Sequence, residues 1–151
     1  MTEPVRRSFG SAWLKIAAAF IALFGLGDSV YLTAHHYSAE PVPCSITGGC
    51  EQVLTSEYAE IGGIPLALFG AVAYFAAFSL ALLAYYGDRR SWTMFRTLAF
   101  LMAGFSGWLI YVQASVIGAF CQFCLLSALS SVLLALIAAG SVFVSENDRS
   151  V

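Results

Sequence analysis

Long apolar stretches dominate the chain, and four of them are long enough to cross a bilayer as helices, which takes about 20 residues. They cover residues 13–35, 64–86, 94–118 and 121–144. Runs such as 71–78 lack the polar–apolar alternation that the strands of a membrane β-barrel require. The pattern therefore predicts an all-α membrane protein, a bundle of four transmembrane helices that forms a single domain over residues 1–151.

The longest polar segment, residues 37–63, separates the first two apolar stretches. Its part from 51 to 61 contains neither Pro nor Gly and predicts a short interfacial helix that caps the bundle. One face of that helix would carry Cys50, Leu54, Tyr58 and Ile61. The two glycines that follow would end it, and Pro65 fits the first turn of the second transmembrane helix.

Composition supports a membrane environment. Hydrophobic residues make up 60% of the sequence and charged residues only 11%, against about 45–50% and about 25% in ordinary globular domains. So few charges could not cover the surface of a soluble protein, and lipid must therefore surround most of the chain. The formal net charge of −2, without a basic stripe or a glycine-rich phosphate loop, argues against a nucleic-acid partner.

The Lys and Arg residues predict the orientation. With four crossings, all seven fall on one side of the membrane, at Arg6, Arg7, Lys15, Arg89, Arg90, Arg96 and Arg149. Positively charged segments stay in the cytoplasm, so both termini are expected there and segment 37–63 outside. A cleaved export signal is the alternative at the N-terminus, but the first apolar stretch exceeds a usual signal core and lacks a convincing cleavage site.

All four cysteines fall on the outer side in this topology, where disulfides form and persist. Cys44 and Cys50, here called the loop pair, have two glycines between them, which give the segment conformational freedom. Cys121 and Cys124, the helix pair, form a C-x-x-C motif at the start of the fourth helix. A helix N-terminus favours the thiolate of the first cysteine. Cys121 is expected to be the more exposed sulfur, and Cys124 to point deeper into the bundle.

This arrangement predicts a membrane thiol–disulfide oxidoreductase that passes electrons from an external dithiol to the loop pair and then to the helix pair. No haem motif, P-loop, dinucleotide fold or metal cluster is present to receive them, so elimination leaves a lipid-soluble quinone, menaquinone or ubiquinone. A tetraspan scaffold with structural disulfides is an alternative, and the same residues would also serve a reductive pathway running outward. The spacing C-x5-C beside C-x2-C is not the usual one for zinc.

Three residues outside the cysteine pairs are candidates for contact with the quinone. Asp28 lies within the first transmembrane helix, where a carboxyl group could relay protons or bind the headgroup. A hydrogen-bonded carboxyl near the outer interface is the structural alternative. Gln113 lies two turns before the C-x-x-C motif and could reach a headgroup or join two helices. Phe69, early in the second helix, is the third candidate for contact with the quinone.

The order of the cysteines resembles that of the bacterial vitamin K epoxide reductase family over nearly the whole chain. The residues that carry the resemblance are Cys44, Cys50, Val53, Ser56, Gly63-Ile64-Pro65 and the motif Cys121–Cys124. Disulfide-bond formation proteins of the DsbB type also have four helices and two cysteine pairs, but their C-x-x-C lies in the first outer loop. The order here is the reverse, which favours the vitamin K epoxide reductase family.

The resemblance implies a place in the bacterial inner membrane and a role for each matching residue. Cys44 would exchange with a periplasmic thioredoxin-fold (DsbA-like) partner, which is expected to be a separate protein because no fused thioredoxin-like domain is present. Cys50 would pass electrons to Cys121. Cys124 would reduce the bound quinone, and Ser56 would lie beside the quinone headgroup and help to bind or polarise it.

Two positions depart from the vertebrate members of that family. Those relatives carry an asparagine early in the second helix and a tyrosine one turn past the C-x-x-C motif. The corresponding residues here are Leu66 and Ala128. These departures place vitamin K epoxide in doubt as the substrate.

Overall fold

The computed structural model describes residues 9–147, so Arg6, Arg7 and Arg149 lie outside the described residues. The long helices are α1 (Phe9–Ser38), α3 (Leu66–Tyr85), α4 (Arg89–Val112) and α5 (Gln122–Asn147). The segment between α1 and α3 contains α2 (Cys50–Leu54), β1 (Glu60–Ile61) and β2 (Ile64–Pro65). Four helices in the described part of the chain are long and apolar enough to span a membrane, which confirms the predicted four-helix fold.

The helix α4 begins five residues before the apolar stretch that predicts it, inside the charged turn. Asp88 caps it, because its carboxylate accepts hydrogen bonds from the N–H groups of Arg90 at 3.1 Å and Ser91 at 3.2 Å. The Ser91 hydroxyl also donates to this carboxylate. That bond and the one from the Arg90 N–H hold the pKa of Asp88 below its ordinary value. A capped first turn explains why charged residues are helical here.

Alanines make up most of the main buried cluster between the transmembrane helices. This cluster consists of Ala18, Ala22, Tyr74, Ala77, Ala81, Phe95, Ala99, Leu134 and Ala138. Alanines allow the helix backbones to approach closely, which favours association in lipid. Tyr74 is the largest polar member of this core, and its hydroxyl donates to the Ser127 carbonyl at 2.5 Å. The bond joins α3 to α5 below the helix pair.

The helix predicted over 51–61 is wrong beyond Leu54, where α2 ends. The Thr55 and Ser56 hydroxyls donate to main-chain carbonyls at 2.6 and 2.7 Å, and Ser56 adopts an extended backbone. Such side-chain bonds compete with helix continuation. Tyr58 and Ile61 are consequently exposed and do not share a buried face with Cys50. The chain instead forms the β1–β2 hairpin, whose turn glycines have φ of 61° and 81°.

The connection from α4 to α5 is a tight turn that begins with five π-helical residues, Gln113–Ile117. Gly118 ends them with φ of 69°, a left-handed conformation that glycine adopts readily. The N–H groups of Gly118 and Ala119 both donate to the Gln113 carbonyl, at 2.9 and 3.2 Å. This turn presents Cys121 directly at the start of α5. It also lies against α2, so the two cysteine pairs occupy the same end of the bundle.

Candidate active site

The loop pair forms a disulfide, with a Cα–Cα distance of 5.9 Å between Cys44 and Cys50. The two sulfurs differ in exposure. Cys44 is half-buried, and its Sγ lies 3.3 Å from the Thr47 hydroxyl. Cys50 begins α2 and is fully buried. Cys44 is therefore the sulfur of this pair that a protein from solution can reach.

The helix pair consists of two free thiols whose exposure is the opposite of the prediction. Cys121 is fully buried and Cys124 is half-buried. The expectation that Cys121 is the more exposed sulfur is wrong, because residues of α2 and of the α4–α5 turn cover it. Cys121, Cys50, Val53 and Ala119 make up one buried cluster. Cys121 consequently faces the loop pair and not the solvent.

Two contacts hold the disulfide loop against the helix pair. Gln122 Oε1 accepts a hydrogen bond from the Ile46 N–H at 3.0 Å. Gly49, just before α2, packs on the turn so closely that a Cβ there would lie 2.9 Å from the Phe120 carbonyl oxygen and 3.0 Å from Ala119 Cβ. A glycine at this position is therefore what allows Cys50 to approach Cys121.

Cys121 is held by hydrogen bonds on both sides. Its N–H donates to Gln113 Oε1 at 3.1 Å, and its Sγ accepts from the Cys124 N–H at 3.4 Å. Cys121 precedes the membrane-spanning segment of α5, Gln122–Phe143. The Cys124 thiol, together with the N–H groups at the helix start, lowers the pKa of Cys121 against the opposing effect of burial. A lowered pKa favours the thiolate, which is the form of a cysteine that takes part in disulfide exchange.

A cavity of about 780 Å³ lies beside the helix pair, among α1, α3, α4, α5 and the segment that contains α2. Cys124 lines it, as do Ser56, Phe69 and Gln113. Leu101, Met102, Phe105 and Leu109 of α4 form an apolar wall. The cavity thus brings one reactive sulfur, several polar groups and an apolar surface together within the membrane-spanning bundle.

A model of the vitamin K epoxide reductase family matches residues 16–139, most of the chain. The chain belongs to this family. Members of the vitamin K epoxide reductase family are thiol–disulfide oxidoreductases of the membrane, and this chain is accordingly one. Its four apolar helices and its bonded cysteine pair agree with that assignment.

The structure brings most of the residues singled out from the sequence to the wall of this cavity. Ser56, Phe69 and Gln113 line the cavity with Cys124. Asp28 is not among the lining residues, although the next residue, Ser29, is. The Oδ2 atom of Asp28 is buried without a hydrogen-bond partner in the described region.

Three features of the site had no signal in the single sequence. Gln122 binds the disulfide loop, a contact between residues 76 positions apart that no local pattern indicates. Gly49 was interpreted as a source of flexibility, whereas it is a close-contact residue. His36, near the end of α1, lies 3.2 Å from the Glu60 carboxylate and joins α1 to the hairpin at the cavity edge.

Proposed function

We propose that this protein oxidises a separate thioredoxin-fold protein and passes the two electrons through the loop pair and the helix pair to a membrane quinone. The observation that carries the proposal is the burial of Cys50 and Cys121 in one cluster, next to a cavity lined by Cys124. The four sulfurs then have different surroundings. Cys44 faces solution, Cys50 and Cys121 face each other's pair, and Cys124 faces the cavity.

The transfer through the protein is a series of thiol–disulfide exchanges. A partner thiolate attacks Cys44, the Cys44–Cys50 bond breaks, and the second partner thiol then resolves the mixed disulfide, which leaves the partner oxidised. The Cys50 thiolate next attacks Cys121 of an oxidised helix pair, and Cys124 leaves as a thiolate. Attack of Cys44 on Cys50 restores the loop disulfide and releases Cys121, so two electrons reach the helix pair.

The cavity residues fit a quinone. A quinone bound there would supply a two-electron, two-proton acceptor and leave as the quinol. Gln113 Oε1 is occupied by the Cys121 N–H, so its Nε2 is the group available to donate to a quinone carbonyl. The Ser56 hydroxyl now donates to the Val53 carbonyl, and rotation of this side chain would redirect it. Phe69 offers an aromatic face to the ring.

The cavity wall supports a quinone more than an epoxide as the oxidant. Leu66 and Ala128 line the cavity at the two positions where vertebrate relatives carry polar residues. Neither side chain can donate a hydrogen bond or a proton to an epoxide oxygen. We therefore infer that menaquinone or ubiquinone is the acceptor.

We place the cysteine end of the bundle on the periplasmic side of a bacterial inner membrane. Arg89 and Arg90 begin α4 at the opposite end, where positive charge favours the cytoplasm. Near Cys44 the loop exposes apolar groups, and Ile46 is 83% exposed. An exposed apolar residue beside a reachable sulfur suits contact with the thioredoxin-fold partner.

The proposal is tested with purified protein, ubiquinone or menaquinone, and reduced thioredoxin-fold proteins, by following quinone absorbance without oxygen. We expect quinone reduction that depends on the reduced protein and stops in Cys44→Ala. A chain that transfers no electrons to either quinone, and whose cysteines keep their redox state throughout, would instead be a scaffold with structural disulfides.

A further inference from the structure

The residue inside the C-x-x-C motif that follows Cys121 contacts the disulfide loop directly. Gln122 is the first residue of α5, and its Oε1 accepts from the Ile46 N–H at 3.0 Å across 76 positions of the sequence. Ile46 lies between Cys44 and Cys50, so the bond ties the interior of the disulfide loop to the helix that carries the helix pair. Within residues 9–147, no other hydrogen bond joins positions 44–48 to a transmembrane helix.

We propose that Gln122 is a positioning residue for electron transfer between the two pairs, an inference that rests on the proposed function. The loop needs such a tether once the Cys44–Cys50 bond opens, because residues 45–48 are exposed and have lost their covalent closure. The bond to Ile46 then keeps the loop over the start of α5. Cys50 stays next to Cys121 while Cys44 is engaged with a partner.

The step that Gln122 assists is the attack of Cys50 on the oxidised helix pair. The Cys50 thiolate forms a bond to Cys121 Sγ as the Cys121–Cys124 bond breaks, and Cys124 leaves as a thiolate that takes up the proton Cys50 released. No oxidant beyond the helix disulfide is consumed. Gln122 makes no bond to a reacting sulfur; it acts through the position of the loop.

The tether is one hydrogen bond in a partly exposed setting, and its effect is accordingly modest. A neutral hydrogen bond of this kind changes an equilibrium by roughly two- to tenfold. We expect removal of the acceptor to lower the effective concentration of Cys50 at Cys121 by about threefold. Gly49 and the buried cluster supply the rest of the positioning and are untouched by the change.

The experiment uses the full chain in detergent with Cys44→Ser and Cys124→Ser, which leaves Cys50 and Cys121 as a pair and the loop open. Equilibration with reduced and oxidised glutathione gives the effective concentration of the two thiols. Gln122→Met removes the acceptor while keeping a side chain of similar size, and Ile46→Pro removes the donor. Each variant should lower the effective concentration about threefold. Together they should lower it no further, because both remove the same bond.

Two matched variants separate the hydrogen bond from general packing. Ile46→Ala deletes the exposed side chain but keeps the N–H, so it should leave the effective concentration unchanged. Gln122→Glu keeps an acceptor oxygen in a charge-assisted bond, so it should not lower the effective concentration. An unchanged value in Gln122→Met, or a fall in Ile46→Ala as large as in Ile46→Pro, overturns the proposal. If Gln122→Met does not fold, as judged by its melting curve, the two Ile46 variants decide. No partner or quinone takes part, so a chain that fails to reduce quinone refutes the proposed function without affecting this result.

Discussion

Gly49→Ala tests whether the close approach of the loop pair to the helix pair is what permits electron transfer. Gly49 has φ of −103°, which any residue adopts, so alanine adds no backbone strain there. The added Cβ would lie 2.9 Å from the Phe120 carbonyl oxygen, 3.1 Å from the Phe120 nitrogen and 3.0 Å from Ala119 Cβ. Two of these atoms are main chain, so the start of α2 must move away.

Overpacking of this kind typically costs roughly 1–3 kcal/mol. If the strain is relieved by lifting α2 from the turn, the docked arrangement of Cys50 on Cys121 becomes about 5- to 150-fold less populated. The transfer between the pairs should slow by a similar factor. The fold itself should persist, because the core of the four helices is a buried cluster separate from the one at this contact.

Rapid mixing of the oxidised protein with dithiothreitol, followed by acid quench, alkylation and mass spectrometry, reports which pair holds the electrons. In the wild type the electrons should reach the helix pair, whereas Gly49→Ala should accumulate a reduced loop pair. Gly104→Ala is the matched control, because a Cβ there meets nothing within 4 Å. Transfer in Gly49→Ala as fast as in Gly104→Ala would refute the reasoning.

Three further variants probe the rest of the site. Cys124→Ala should still form a mixed disulfide with a thioredoxin-fold protein through Cys44, and it should raise the pH midpoint of Cys121 alkylation because a donor that lowers the pKa of that thiol is gone; an unchanged midpoint contradicts this. Ala128→Phe should fill the cavity and block quinone reduction, measured by absorbance, while dithiothreitol still reduces the loop disulfide. Tyr74→Phe loses the hydroxyl that donates to the Ser127 carbonyl and lies 3.1 Å from the Ser127 hydroxyl. The two bonds are worth about 1 kcal/mol each, so the melting temperature should fall by roughly 4–8 °C; no change would show that they do not stabilise the fold.

The helices could be predicted from the sequence because length and hydropathy decide what spans a bilayer. The end of α2 could not, since it depends on whether the Thr55 and Ser56 hydroxyls bond to the backbone or to solvent. The prediction that Cys121 is more exposed than Cys124 failed for a different reason. Helix position alone makes the first cysteine of a C-x-x-C motif accessible, but α2, from a distant part of the chain, packs over it.

In the candidate site too, some residues could be predicted from the sequence, whereas contacts that depend on the tertiary fold could not. Gln113 was predicted to reach a headgroup or to join two helices, and the family resemblance implied that Ser56 lies beside the headgroup; both residues line the cavity. Asp28 was singled out for being a carboxyl group within a membrane helix, yet it is not part of the lining, because hydrophobicity does not reveal which way a helix face points. The contact of Gln122 with Ile46 spans 76 positions and has no local signature.

The central claim is that electrons leave the protein at Cys124 and enter the helix pair from Cys50. The most direct test begins by reducing all four cysteines to thiols and removing the reductant. The protein is then titrated with ubiquinone or menaquinone in the absence of oxygen. The wild type should reduce two quinones per chain, Cys50→Ala one, and Cys124→Ala none. Quinone reduction by Cys124→Ala, or two equivalents from Cys50→Ala, would contradict the proposed path.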